Sequence, residues 1–179
     1  MSKALLIIDV QEGICHGKYG GFEADRVIAN INSVSERMRQ IGGLVVVIQH
    51  ESPSGLLAHG SPSWQLAEGL LTRPADVMIR KTATDSFHDT TLHSILQQHG
   101  IKHLIVCGLQ SEFCVDTTTR RALTLGYSVT LIADGHTTMD NGVLKAGQIS
   151  AHHNETLTNI TSFGPSVVAV PAAEVRCTN

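Results

Sequence analysis

Aromatic residues are scarce in this chain, with one Trp, two Tyr and four Phe among 179 residues, 4% in all. A core with so little ring bulk must be built from aliphatic side chains, and such a chain is expected to find further burial by pairing with copies of itself. Long apolar runs are missing too. No stretch approaches the roughly 20 residues that cross a bilayer, and "MSKALLIIDV" passes from one lysine to an aspartate without a cleavage-like segment. These absences predict a cytoplasmic protein with no membrane partner. Neither sign of charge dominates, since 13 Lys and Arg stand against 16 Asp and Glu for a formal net charge of -3. That balance leaves no electrostatic footprint for nucleic acid and favours a small, weakly charged substrate.

The four cysteines, Cys15, Cys107, Cys114 and Cys177, have no paired spacing of the kind that holds a metal. A reducing compartment also argues against disulfides between them. Cys107 points into a strand by its period, Cys177 reads as structural, and Cys15 could approach the mouth of a site.

What the chain does have is alternation. Short apolar runs at 4–9, 44–49, 76–81, 103–108, 127–134 and 166–170 read as buried parallel strands. Between the first two, Ala24, Val27, Ile28, Ile31, Val34, Met38 and Ile41 recur at helical spacing and Gly42-Gly43 ends the run. Further helical patterns precede the later strands at 90–100, 115–126 and 141–160. This order predicts one α/β domain over residues 1–179, a three-layer α/β/α sandwich on a mainly parallel, six-stranded Rossmann-like sheet with right-handed crossovers. The segment "ESPSGLLAHGSPSWQLAEGLL" is too long for a bare connector, turns weakly helical in its second half, and is expected to cover a site.

Ligands of open α/β sheets bind beyond the carboxyl ends of the strands. Asp9, with Gln11 just beyond it, ends the first strand, Lys81 ends the third, and Cys114 follows the fourth in "GLQSEFCVDTTTRRALTLGY" at a predicted helix start near Val115. A helix start and a lysine both favour thiolate over thiol, and an aspartate can relay the proton to a leaving group. The trio describes a cysteine nucleophile, and the backbone N–H groups beside it describe an oxyanion site. Each residue also has a plainer reading: a cysteine as a small core hydrophobe, an aspartate as a cap, a lysine as solvated surface.

The stretches "LLIIDVQ", "VMIRKTATDSF" and "VCGLQSEFCVDTTTRRALTLGYSVTLIADG" resemble the isochorismatase-like cysteine hydrolases, which include nicotinamidases and N-carbamoylsarcosine amidohydrolases. The resemblance runs from residue 4 to about 138. It implies that Asp9, Lys81 and Cys114 form the family's Asp-Lys-Cys triad, and that a cis peptide joins Leu109 and Gln110 so that the N–H groups of Gln110 and Cys114 face the oxyanion. It also implies that Gln11, Trp64 and Phe87 line the substrate cavity, with plain core packing the alternative for Trp64 and Phe87, and that the chain forms a homodimer or homotetramer whose interface completes it. One departure stands out. Where nicotinamidases carry an Asp-x-His metal motif this chain reads Gln49-His50-Glu51-Ser52, so no metal and no other cofactor is expected, and His50 and His59 read as surface or pocket residues.

The function these features imply is a cysteine-dependent hydrolase, an amidase of small amide or ureido C–N bonds working through a thioester. The alternatives are an isochorismatase-type hydrolase of a vinyl ether and a non-catalytic scaffold that has kept the motif.

Overall fold

In the computed structural model, which describes residues 2–178, six strands form one parallel sheet in the order β3-β2-β1-β4-β5-β6. The strands are β1 (Lys3–Ile8), β2 (Leu44–His50), β3 (Val77–Lys81), β4 (His103–Leu109), β5 (Ser128–Thr137) and β6 (Val167–Val170). Successive side chains of β1 leave on opposite faces, and none of the five from Ala4 to Ile8 is exposed. Ala4, Leu6 and Ile8 join one core, while Leu5 and Ile7 join the other.

Each face is covered by helices. On the first, α3 (Leu92–Gln98), α4 (Asp116–Thr124) and α5 (Ala146–Thr158) contribute Leu92, Leu96, Leu123 and Leu157. On the second, α2 (Ala24–Gln40) lays down Val27, Ile28, Ile31, Val34 and Met38 and ends at Gly42, whose φ is 67°. Each fully buried Leu or Ile contributes about 1.5–3 kcal/mol of transfer free energy, so a doubly covered aliphatic sheet compensates for the missing aromatics. No helix among the described residues is long and apolar enough to cross a membrane.

The sheet architecture and the four long helices are where the sequence placed them, with ends shifted by a few residues. Two things differ. A short helix α1 (Glu12–Cys15) and a 3-10 turn (Gly17–Tyr19) follow β1, where no helix was expected. The connection after β2 holds only a 3-10 turn, Pro62–Trp64, because Gly, Ser and Pro leave too few residues for a nucleus of helix. The strand order reverses on the two sides of β1, so the crevice for a ligand opens between the carboxyl ends of β1 and β4.

Candidate active site

Three backbone devices bring the charged ends together. Asp9 adopts a left-handed conformation, φ 51°, which aspartate tolerates better than most residues, and its N–H donates to Ile48 O at 2.8 Å. On the neighbouring strand Gly108 has φ 120°, and a Cβ there would stand 1.9 Å from Ile8 O. Only glycine lets β4 run this close to the end of β1. Immediately beyond, the Leu109-Gln110 peptide is cis and Ser111–Val115 forms one π turn that leads into α4. The helical segment thus begins a turn before the expected Val115, and Cys114 lies inside that turn.

A buried network that the sequence did not reveal anchors the turn. Ser111 Oγ lies 2.7 Å from His136 Nδ1 and 2.9 Å from Ser150 Oγ, and His136 Nε2 lies 2.9 Å from Asn154 Oδ1. Asn154 Nδ2 donates to Ala133 O, so its Oδ1 is the acceptor and the histidine proton sits on Nε2. His136 Nδ1 therefore accepts from Ser111. Burial holds this histidine down to about 4. The folded state binds fewer protons than the unfolded chain between that value and the ordinary 6.5, so stability is complete above pH 6.5 and falls as the pH drops toward 4. The loss is expected to be on the order of 3 kcal/mol. Thermal melts at pH 7 and pH 4.5 should show it in the wild type and much less in His136→Gln; parallel losses in both would assign it elsewhere.

At the centre stands the Lys81 ammonium. Nζ lies 2.7 Å from Asp9 Oδ2, 2.9 Å from Ala83 O, 3.2 Å from Cys114 Sγ and 3.2 Å from His50 Nδ1. Asp9, Lys81 and Cys114 are all buried. Asp9 Oδ1 has no hydrogen-bond partner. An Asp9 carboxylate oxygen, a His50 ring nitrogen and Cys114 Sγ lie within 4.8 Å of one another.

The electrostatics correct one expectation. Burial first, and then the Asp9 charge, push the Cys114 thiol up to about 12, with Lys81 pulling the other way. The resting sulfur is a neutral thiol beside a carboxylate, not a preformed thiolate, because the aspartate and the loss of water outweigh the ammonium.

Two expected cavity residues have other work. Gln11 is fully buried, with Nε2 donating to His50 O at 2.9 Å and Trp64 O at 2.8 Å while Oε1 accepts from His50 N at 2.8 Å. Both its N–H groups are spent, which makes it a brace and not a substrate ligand. Phe87 turns into the core, stacked on Tyr127 with centroids 6.1 Å apart and edge-on to His93 at 6.4 Å. Trp64 is half-buried, its ring edge-on to His59 at 4.7 Å and its buried Nε1–H without a hydrogen-bond partner. Cys15 does not approach the mouth but is buried in the core under α2.

A family model for the Isochorismatase domain matches residues 3–162. This chain belongs to the isochorismatase family. Among curated relatives, a streptothricin hydrolase of Streptomyces noursei is 39% identical over 139 residues, 77% of this chain and 50% of the relative. The chain thus spans about half the length of that relative. An isochorismatase family protein of Bacillus subtilis is 34% identical over 74% of this chain and 72% of its own. A crystal structure of an isochorismatase family protein superposes with a TM-score of 0.84 at 37% identity, over 94% of this chain and 97% of that one. An N-carbamoylsarcosine amidase from Thermoplasma acidophilum has the same fold, with a TM-score of 0.82 at 20% identity over 98% and 99% of the two chains.

The metal centre of some family members has no counterpart in this donor set. Asp9, His50 and Cys114 are close enough to share an ion, but the Lys81 ammonium already sits within 3.2 Å of all three, and a second cation there would meet its charge at contact. His59 is held instead by Arg80 Nη1 at 2.6 Å from its Nε2. Exhaustive EDTA treatment is expected to leave activity unchanged; stoichiometric metal lost together with activity would contradict this.

Proposed function

We propose that the chain is a cysteine-dependent hydrolase of small amide or ureido C–N bonds, with Asp9, Lys81 and Cys114 as its catalytic residues. The observation that carries the reading is the buried ammonium bonded at once to a carboxylate and a sulfur, an expensive arrangement with no structural need. As Cys114 Sγ attacks the carbonyl carbon, its proton passes to Asp9, and Lys81 stabilises the charge gathering on sulfur. The N–H groups of Gln110 and Cys114 receive the oxyanion. Asp9 then protonates the leaving amine as the C–N bond breaks, leaving a thioester. Water adds to the thioester carbon with Asp9 as base, the C–S bond breaks, and the thiol returns. A vinyl ether would need a proton on carbon and no nucleophile, so the sulfur favours the amide. The Streptomyces relative too is named a hydrolase. A panel of small amides and ureido compounds assayed for ammonia release, with Cys114→Ala as the blank, tests it; no release above the blank across the panel would reject it.

The site is proposed to work in a homodimer or homotetramer. Phe113, beside the nucleophile, is 51% exposed, Phe22 52% and Val143 88%. Exposed apolar side chains of this kind fit a partner copy. Light scattering at micromolar concentration should give a multiple of 19.2 kDa, and a monomer mass would refute it.

A further inference from the structure

We propose that His50 is a positioning residue for Lys81: its Nδ1 takes the ammonium N–H that Cys114 gives up on acylation, and so keeps Asp9 Oδ1 free to activate water. The inference rests on the covalent reading above. An ammonium has three N–H groups, and Lys81 has four acceptors around it. The two shortest contacts, to Asp9 Oδ2 and Ala83 O, take two of them. The third is shared between Cys114 Sγ and His50 Nδ1, each at 3.2 Å.

Which of the two holds it depends on the sulfur. Sulfur that gains negative charge during attack is a strong acceptor, whereas the resting thiol is a weak one and a thioester sulfur, neutral and delocalised into its carbonyl, is weaker still. Once Cys114 is acylated, the third N–H must find another partner, since an unmade hydrogen bond in a buried site costs about 1–3 kcal/mol. Asp9 Oδ1 stands unpaired nearby. If the ammonium turned to it, both carboxylate oxygens would be engaged and the base for the incoming water would be weakened. His50 Nδ1 offers the alternative.

The imidazole is built for this part. Lys81 can only donate, so Nδ1 must be the acceptor and the ring proton sits on Nε2. Burial and then the Lys81 charge hold His50 below its ordinary value, with the Asp9 carboxylate, the Ala83 carbonyl and the Glu51 carboxylate opposing, so the ring stays a neutral acceptor near pH 7. Gln11 fixes the ring's backbone from both sides through His50 N and O.

The prediction is a defect confined to the second half-reaction, which p-nitrophenyl acetate can resolve. In its first half the Cys114 Sγ–acyl bond forms as the bond to p-nitrophenolate breaks, the thiol proton going to Asp9 and on to solvent. In the second, water supplies hydroxide to the carbon and a proton to Asp9, the C–S bond breaks, sulfur takes the proton from Asp9, and acetic acid leaves and gives its own proton to solvent. His50→Leu should keep a full burst of p-nitrophenol while steady-state release falls at least tenfold and acetylated Cys114 accumulates by mass spectrometry. His50→Asn, whose Oδ1 overlays Nδ1, should stay within about threefold of wild type, while His50→Gln, whose oxygen lies elsewhere, should resemble the leucine variant. Unchanged steady state in His50→Leu, joint loss of burst and steady state, or equal rates in the Asn and Gln variants would each overturn the proposal. Equal p-nitrophenol release by wild type and Cys114→Ala would instead bring down the covalent reading itself.

Discussion

Replacing Cys114 with Ala is expected to lower turnover by a factor on the order of 10³ or more while leaving the fold intact, because the covalent route has no other nucleophile. The side chain is small and packed at the end of the sheet, so the stability cost should stay near 1 kcal/mol. Cys114→Ser should be nearly as inactive: its hydroxyl fits the site but is a far weaker acid than the thiol it replaces. Ammonia release and thermal melts on the same samples separate lost chemistry from lost fold. Near wild-type turnover in the alanine variant would end the proposed mechanism.

The second large effect separates the two charges around the sulfur. Asp9 is the main charged group raising the thiol, and Lys81 is the group lowering it. Asp9→Asn should therefore lower the thiol pKa, and with each pK unit worth about 1.4 kcal/mol a shift of at least one unit is expected. Its alkylation by iodoacetamide at pH 8 should be faster than in wild type. Lys81→Met should raise the pKa further and slow alkylation at the same pH. Both variants should nevertheless be catalytically dead, one for want of a proton carrier and the other for want of a counter-charge. Breaking a buried pair costs about 3–5 kcal/mol, so the alkylation must be read at low temperature on samples shown to be folded by circular dichroism. Equal alkylation rates in the two variants would mean that the roles are assigned wrongly.

The sheet was legible in the sequence because parallel strands buried on both faces read as unbroken aliphatic runs, and α2 because its apolar residues keep one face. The convergence of Asp9, Lys81 and Cys114 was legible because strand ends are fixed points of such a fold: once the strands are placed, the residues at or just past their ends share an edge. The directions of Gln11 and Phe87 were not legible, for a common reason. Proximity to that edge says nothing of direction, and the rotation of one side chain decides between cavity, core and backbone. The Ser111-His136-Asn154 network was hidden because its members come from three elements, with no spacing to mark them. The thiol's high pKa was hidden as well, since burial is a property of the packed site and not of the motif.

One amide sets how the covering segment can open. Gln11 bonds the backbone of His50 at one end and of Trp64 at the other, and Gln49 Nε2 adds a bond to Trp64 O at 3.0 Å. The residues between them form an Ω-loop pinched at its neck, with Ser52 and Ala58 bridged just inside. Such a loop is hindered from swinging as a flap from its base, because the base is tied to Gln11, just beyond the first strand. Pro53 to Leu57 form the tip beyond that bridge, closed by Ser52 N–H donating to Leu57 O at 3.0 Å. Loss of the Gln11 amide would therefore release both ends of the neck at once.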